Sequence, residues 1–283
     1  MALRSEPTAR QMRLATELRR LRRAAGLTSR EAAALLGVSS AQISQIESAL
    51  TGVSEKRLRL MASHYACTDE ELISALAAMA GDRTRGWWEE YRGSLPTSFM
   101  DVAELEHHAT RRRDVELLLI PGLLQTDDYA RATFSSRIPA IPEEQLELRV
   151  QHRMRRKAIL NRPVPVPYDA VIHEAALRIR VRDRAVARAQ LTQLLEASEL
   201  DHISVRIIPF DLDGFGGTWS TMMLAEGTCP QLDTAVRDAP HGVTFIDCEA
   251  QLEVFRALFR RVEAVALEPE RSRDFIHALA KEV

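Results

Sequence analysis

The run GVSSAQISQIES, residues 37–48, sets Ser40, Ala41, Ser44, Gln45 and Ser48 on the outward side of a short helix, away from Ile43 and Ile46. Residues three and four apart share a helix face, so this spacing separates a polar stripe from an apolar one. The polar stripe is suited to hydrogen bonding with base edges in a DNA major groove. Glutamine can bond adenine bidentately, serine suits several base edges, and an alanine methyl can meet the methyl of thymine. Arg30, Lys56 and Arg57 flank the run and can contact phosphate, which positions a helix without specifying a sequence.

The flanking sequence must hold that stripe in place. Residues 8–25 form a basic helix with Met12, Leu14, Leu18 and Leu21 as expected core contacts, closed by Gly26. Thr28 with Glu31, and Ser39 with Gln42, are capping boxes that start two further helices. Val38 and Ile43 have the spacing of a hydrophobic staple, and Gly37 turns the chain between the helices. Ala32 is small where the helices cross, and Leu35, Val38, Ile43 and Ile46 are expected to close a small core. The inward stripe of the second helix is read as 43, 46, 47 and 50. Helices over about 54–66 and 69–80 complete a five-helix, helix-turn-helix arrangement.

Residues 81–98 break the pattern with Gly, Pro and Ser and read as a linker, with Trp87, Trp88 and Tyr91 docking it. From 99 to 283 the signals mix. Helices are expected over 99–113, 127–136, 143–160, 183–199, 249–267 and 270–282, and strands over 115–120, 168–173, 203–210, 220–225 and 242–247. The fold class is therefore α+β: an all-α domain over 1–80, then a larger mixed α/β domain over 99–283 with a small sheet covered by helices.

Charge is distributed unevenly. The net charge is −2, yet residues 1–66 hold eleven Arg or Lys against five Glu, so the remainder is acidic. A basic head favours a nucleic-acid partner. Cys67, Cys229 and Cys248 are too dispersed for a zinc site or a disulfide framework. No signal-peptide pattern or membrane-length apolar run occurs, so a reduced, cytoplasmic and nucleoid-associated protein is expected, with no membrane contact.

No catalytic residue, metal ligand or cofactor is assigned. HEAAL at 173–177 lacks the second His of a zinc helix. DLDGFGG at 211–217 lacks the ligand pattern of a calcium loop. His107 and His108 are expected to be solvated, and the basic run 149–162 is expected to be a solvated helix face, the alternative being contact with DNA backbone or an acidic partner.

Two resemblances extend this reading. LTSREAAALLGVSSAQISQIE resembles the lambda-repressor-like, XRE-type domain over about residues 10–78. The resemblance implies that Ser40, Ala41, Ser44 and Gln45 face bases, that Ser29 contacts phosphate, and that Arg22 and Glu47 form a salt bridge between the first and third helices. GWWEEYRG, IPGLLQTDDYARA, IHEAALR, RAQLTQLLEAS, VRIIPF and ALEPERSRDFIHALA are similar, in order over about 86–283, to the C-terminal domain of WhiJ-type actinomycete regulators. Together they imply a sequence-specific transcriptional regulator rather than an enzyme. It would bind double-stranded DNA as a homodimer, while the second domain dimerises, senses or binds a small protein encoded nearby. The alternative is an antitoxin-like protein that neutralises such a partner.

Overall fold

Capping chemistry sets the helix boundaries of the N-terminal region. The structure is a computed structural model that describes residues 7–82, 84–213, 221–239 and 242–283. Helix α1 (Ala9–Ala24) starts at Thr8, whose hydroxyl accepts from the Gln11 N–H. It closes in a Schellman motif: Leu27 N–H bonds the Arg22 carbonyl, Gly26 N–H bonds that of Arg23, and Gly26 takes φ +72°. Helix α2 (Ser29–Leu36) and helix α3 (Ser40–Glu47) each begin with a complete capping box, Thr28 with Glu31 and Ser39 with Gln42. Gly37 joins them at φ +62°, and a Cβ there would meet nothing within 4 Å. Its backbone conformation, not crowding, calls for glycine. Helix α4 (Glu55–His64) is capped by Ser54 and helix α5 (Glu70–Gly81) by Asp69.

The chain divides into two compact units, Met1–Trp87 with Thr228–Leu232, and Trp88–Gly227 with Asp233–Val283. The first is held by Leu18, Ala32, Ile46, Leu58, Met61 and Leu76, and Cys229 and Leu232 join the same core. Three apolar residues expected inside it are exposed: Met12 at 40%, Leu35 at 48% and Leu50 at 37%. Helix α1 turns Ala15, Leu18 and Arg22 inward, and α2 uses Ala32, Ala33 and the partly buried Leu36. Helix α3 stops at Glu47, and Ala49 then takes φ +60°, so the buried series is 43, 46, 47 and 49.

In the second unit, helix α6 (Thr97–His108) precedes strand β1 (Arg111–Glu116), and helices α7 (Asp127–Ser135) and α8 (Glu143–Arg156) lead to strand β2 (Tyr168–His173). Helices α9 (Glu174–Arg178) and α10 (Arg184–Ala197) lead to β3 (Ile203–Ile208). Strands β4 (Met222–Glu226), β5 (Thr234–Ala239) and β6 (Gly242–Ile246) follow, then helices α11 (Glu249–Val265) and α12 (Pro269–Glu282). Among the described residues these strands form one mixed sheet of order β3-β2-β1-β4-β5-β6. The β1–β2 and β2–β3 pairs are parallel, and the rest are antiparallel.

Both faces are covered. Phe259 and Val262 of α11 pack on Val115, Val171 and Met222. On the opposite face, Leu191, Leu194 and Ile276 pack on Ala170, Ile172 and Val205, while Val102 packs on Met223, Ala225 and Val236. Between these last two apolar groups runs a polar seam along β1, where Arg112, Asp114 and Glu116 alternate onto one side. The Arg112 guanidinium donates to Asp114 at 2.9 Å and pairs with the fully buried Glu106, the Tyr168 hydroxyl donates to Asp114 at 2.5 Å, and Arg156 forks onto Glu106 at 2.7 and 2.5 Å.

Several expectations are corrected here. The strand expected at 115–120 is β1 at Arg111–Glu116, and the helix expected to reach 113 ends at His108. Alternating charges that pair internally conceal a buried strand, and Leu118 is 60% exposed. The basic run at 149–162 is not a solvated face: Arg149, Arg153 and Arg156 share one side of α8, and Arg156 keeps only 10% of its side chain exposed. His107 and His108 are half-buried, with the His107 ring 5.1 Å from Trp88. Of the interval 81–98, Gly81 ends α5, whereas Trp88, Tyr91 and Leu95 are buried and assigned to the second unit. His173 accepts from the Ala175 N–H at 3.2 Å and caps α9. Residues 214–217 of the DLDGFGG loop lie outside the described residues.

Candidate nucleic-acid interface

The outward side of α3 is built by elimination. Ile43 and Ile46 are buried at 0% and 4%, and Ser39 and Gln42 are committed to the capping box. Ser40, Ala41 and Ser44 remain exposed, and Gln45 is half-buried. Ser48 differs from these four: its hydroxyl donates to the Ser44 carbonyl at 2.7 Å, so only its acceptor lone pairs stay available.

A buried ion pair fixes the orientation of α3. Arg22 Nε lies 2.6 Å from Glu47 Oε1 and Arg22 Nη2 lies 2.8 Å from Glu47 Oε2, while Nη1 donates to the Leu27 carbonyl at 2.6 Å. Arg19 also donates to the Glu47 carbonyl. The two side chains of the fork are 8% and 4% exposed, so water screens the pair little. The hydrogen bonds that the Arg22 guanidinium donates to Glu47 raise its pKa above the ordinary arginine value. Burial, reinforced by Glu47, pushes the nearby Tyr65 hydroxyl up to about 12, so it stays neutral. One charged pair therefore ties the end of α1 to the end of α3.

The flanking cations fall into two groups. Arg20 and Arg59 are neutralised by Glu17 and by Glu55 with Glu70. Arg30, Lys56 and Arg57 are exposed and make no ion pair among the described residues. Arg30 lies in the first turn of α2, next to Ser29 at its first position, and Lys56 and Arg57 lie in the first turn of α4. Two helix N-termini thus carry unpaired cations, an arrangement suited to phosphate oxygens.

Sequence reasoning missed the polar seam of the second unit. Its signal was available as a strand with a charge at every second position, Arg112, Asp114 and Glu116, and as arginines spaced four and three apart, Arg149, Arg153 and Arg156. Among the described residues no group of three or more His, Cys, Asp or Glu side chains could hold a metal ion, and no helix is long and apolar enough to cross a membrane.

A family model described as a helix-turn-helix domain matches residues 13–76, the span that contains α2, Gly37 and α3. That match identifies a DNA-binding type of domain and gives DNA as a partner. No curated protein and no solved structure matches the chain. A second model, described as a domain of unknown function (DUF5753), matches residues 99–278. That span exceeds half of the chain, and the protein belongs to the DUF5753 family, with a helix-turn-helix domain preceding the family domain.

Proposed function

We propose that this protein is a sequence-specific transcriptional regulator whose α3 enters the major groove of double-stranded DNA. The observation that carries the reading is the exposed side of α3, held by the buried Arg22–Glu47 fork and flanked by the unpaired cations Arg30, Lys56 and Arg57. Ser40, Ala41, Ser44 and Gln45 meet base edges, Ser48 serves only as an acceptor, and Ser29, Arg30, Lys56 and Arg57 contact phosphates. The lambda-repressor-like, XRE-type resemblance of residues 10–78 supports this assignment of roles.

The reading side chains are short, so the helix can lie deep in the groove and part of its specificity comes from DNA shape. One helix-turn-helix supplies few contacts, so the working form is a homodimer on two half-sites roughly 34–36 Å apart. The second unit serves in dimerisation, sensing or binding of a small protein, and the WhiJ-type resemblance supports the last of these, since such regulators are often associated with a small, separately encoded partner.

The test is binding of the full-length protein to the DNA upstream of its own gene across a salt series. Affinity should fall steeply as salt rises, because cations that neutralise phosphates release counterions. Undetectable binding, or an affinity that salt leaves unchanged, overturns the reading.

A further inference from the structure

The polar seam of the second unit leads to a group of arginines that the fold leaves short of carboxylates. Arg153 is held on three sides. A Cβ at Gly122 would stand 3.0 Å from Arg153 Nη1, so the absence of a side chain there makes room for the guanidinium. Gln125 accepts from Nη1 at 2.7 Å, and its own amide is fixed by donating to the Ile120 carbonyl at 2.7 Å. The Phe134 ring centroid lies 4.8 Å from the guanidinium carbon. Arg137 approaches the same ring at 5.9 Å. Arg149, one turn before Arg153 on α8, lies 5.3 Å over Phe99, and its Nε is buried with no hydrogen-bond partner among the described residues.

The charge balance separates this group from the rest of the seam. Arg112 and Arg156 share Glu106, and Arg112 also has Asp114. Among the described residues Arg149 and Arg153 make no ion pair, and Arg137 reaches only Asp238, at 3.6 Å. Burial first, and then the cations around them, hold both Arg149 and Arg153 below the ordinary arginine range. Guanidinium groups do not lose their protons at physiological pH, so the shift registers chiefly the cost of burying the charge, with repulsion from neighbouring arginines second and Asp238 partly offsetting it at Arg153. The Arg137 side chain is 44% exposed, and Arg149 and Arg153 are half-buried.

We propose that Arg149, Arg153 and Arg137 form a binding site for an oxyanion, a carboxylate or phosphate carried by a small effector, bounded by the rings of Phe134 and Phe99. Guanidinium forks match the two oxygens of either group, and charge-assisted bonds of this kind are the strong ones. The two aromatic rings are 6.4 Å apart; Phe134 is buried, and the half-buried Phe99 offers apolar surface to the body of the effector. The site lies wholly within the second unit and does not rest on the DNA reading.

The full-length protein is titrated with inorganic phosphate and, separately, with benzoate, at an ionic strength held constant with chloride. At least one anion should raise the heat-unfolding temperature to a plateau, and the one that half-saturates at lower concentration identifies the oxyanion class. Arg153→Gln and Arg149→Gln should each raise that concentration about tenfold, the loss of one charge-assisted contact. If Arg153→Gln does not fold, Arg149→Gln carries the test, since Arg149 makes no hydrogen bond through its side chain among the described residues. The pair Lys56→Gln and Arg57→Gln, which removes proposed DNA-phosphate contacts, should leave the plateau intact. The inference is overturned if neither anion gives a plateau, if both arginine variants respond as the wild type does, or if the response disappears in the Lys56 and Arg57 variant.

Discussion

Arg22 and Glu47, 25 positions apart in sequence, meet as a bidentate fork inside the helical unit, with contacts of 2.6 and 2.8 Å. The pair works as a register pin: α3 cannot rotate about its axis without breaking both bonds. Removing one partner leaves the other charge buried and unpaired. Glu47→Ala should therefore destabilise the helical unit by about 3–5 kcal/mol. Urea denaturation of the full chain measures this, and a loss below about 1 kcal/mol, the scale of an exposed pair, would remove the pinning role.

Gln45 is the longest polar side chain that α3 leaves free of its capping box and its buried fork. Gln45→Ala should keep the fold and weaken binding to the preferred site by about 1–3 kcal/mol, while binding to random duplex hardly changes. Competition between specific and non-specific DNA separates the two. An equal loss on both would exclude Gln45 from base reading.

Lys56 and Arg57 should act on every sequence alike. Each change to Gln should reduce the slope of log affinity against log salt by about 0.9. Binding isotherms at several salt concentrations give the slope. If specificity changes instead of slope, these residues touch bases and not phosphates.

Glu116 gives a pH prediction. Burial, then Asp114 on the same strand, push its carboxyl up to about 8, and Arg112, Arg153, Asp238 and the hydroxyls of Tyr129 and Tyr168 also act in its neighbourhood. The folded state therefore binds a proton that the unfolded state has released, so this group lowers stability as pH rises from about 4.5 to about 8. Glu116→Gln should remove that slope and be more stable than the wild type at alkaline pH, as denaturation at a series of pH values will reveal. His152, held down to about 3 by burial and by Arg156, acts in the opposite sense below its ordinary value. The difference between wild type and variant isolates Glu116. Parallel curves for the two proteins would rule out a buried carboxyl there.

The helical unit was legible because its instructions are local. Thr28 with Glu31, Ser39 with Gln42, and Gly37 each act within four residues, and each is found in the geometry that its sequence implies. Core membership was less legible where it depends on a helix end: Leu50 looks periodic only if α3 continues past Glu47. The second unit was legible in class and in β2, β3 and β6, but β1 was displaced because its buried positions are charged. Periodicity cannot show that Arg112 is neutralised by a residue on another element. Strand β5, with Arg237 and Asp238 in its sequence, and the five-residue α9 gave no signal long or apolar enough to detect.

The five residues Thr228–Leu232 make the helical unit discontinuous in sequence. Cys229 and Leu232 lie in its core, the Gln231 amide donates to Asp69 at 3.0 Å, and the Gln231 carbonyl accepts from Arg13. A ribosome must pass residue 232 before this unit has all its parts, although most of the unit is encoded first. Heredity is constrained in the same way. Arg13 needs only the backbone of residue 231, which any residue supplies, whereas Asp69 needs the Gln231 amide, so a recombination event that exchanges only the first 87 residues puts the Asp69–Gln231 match at risk.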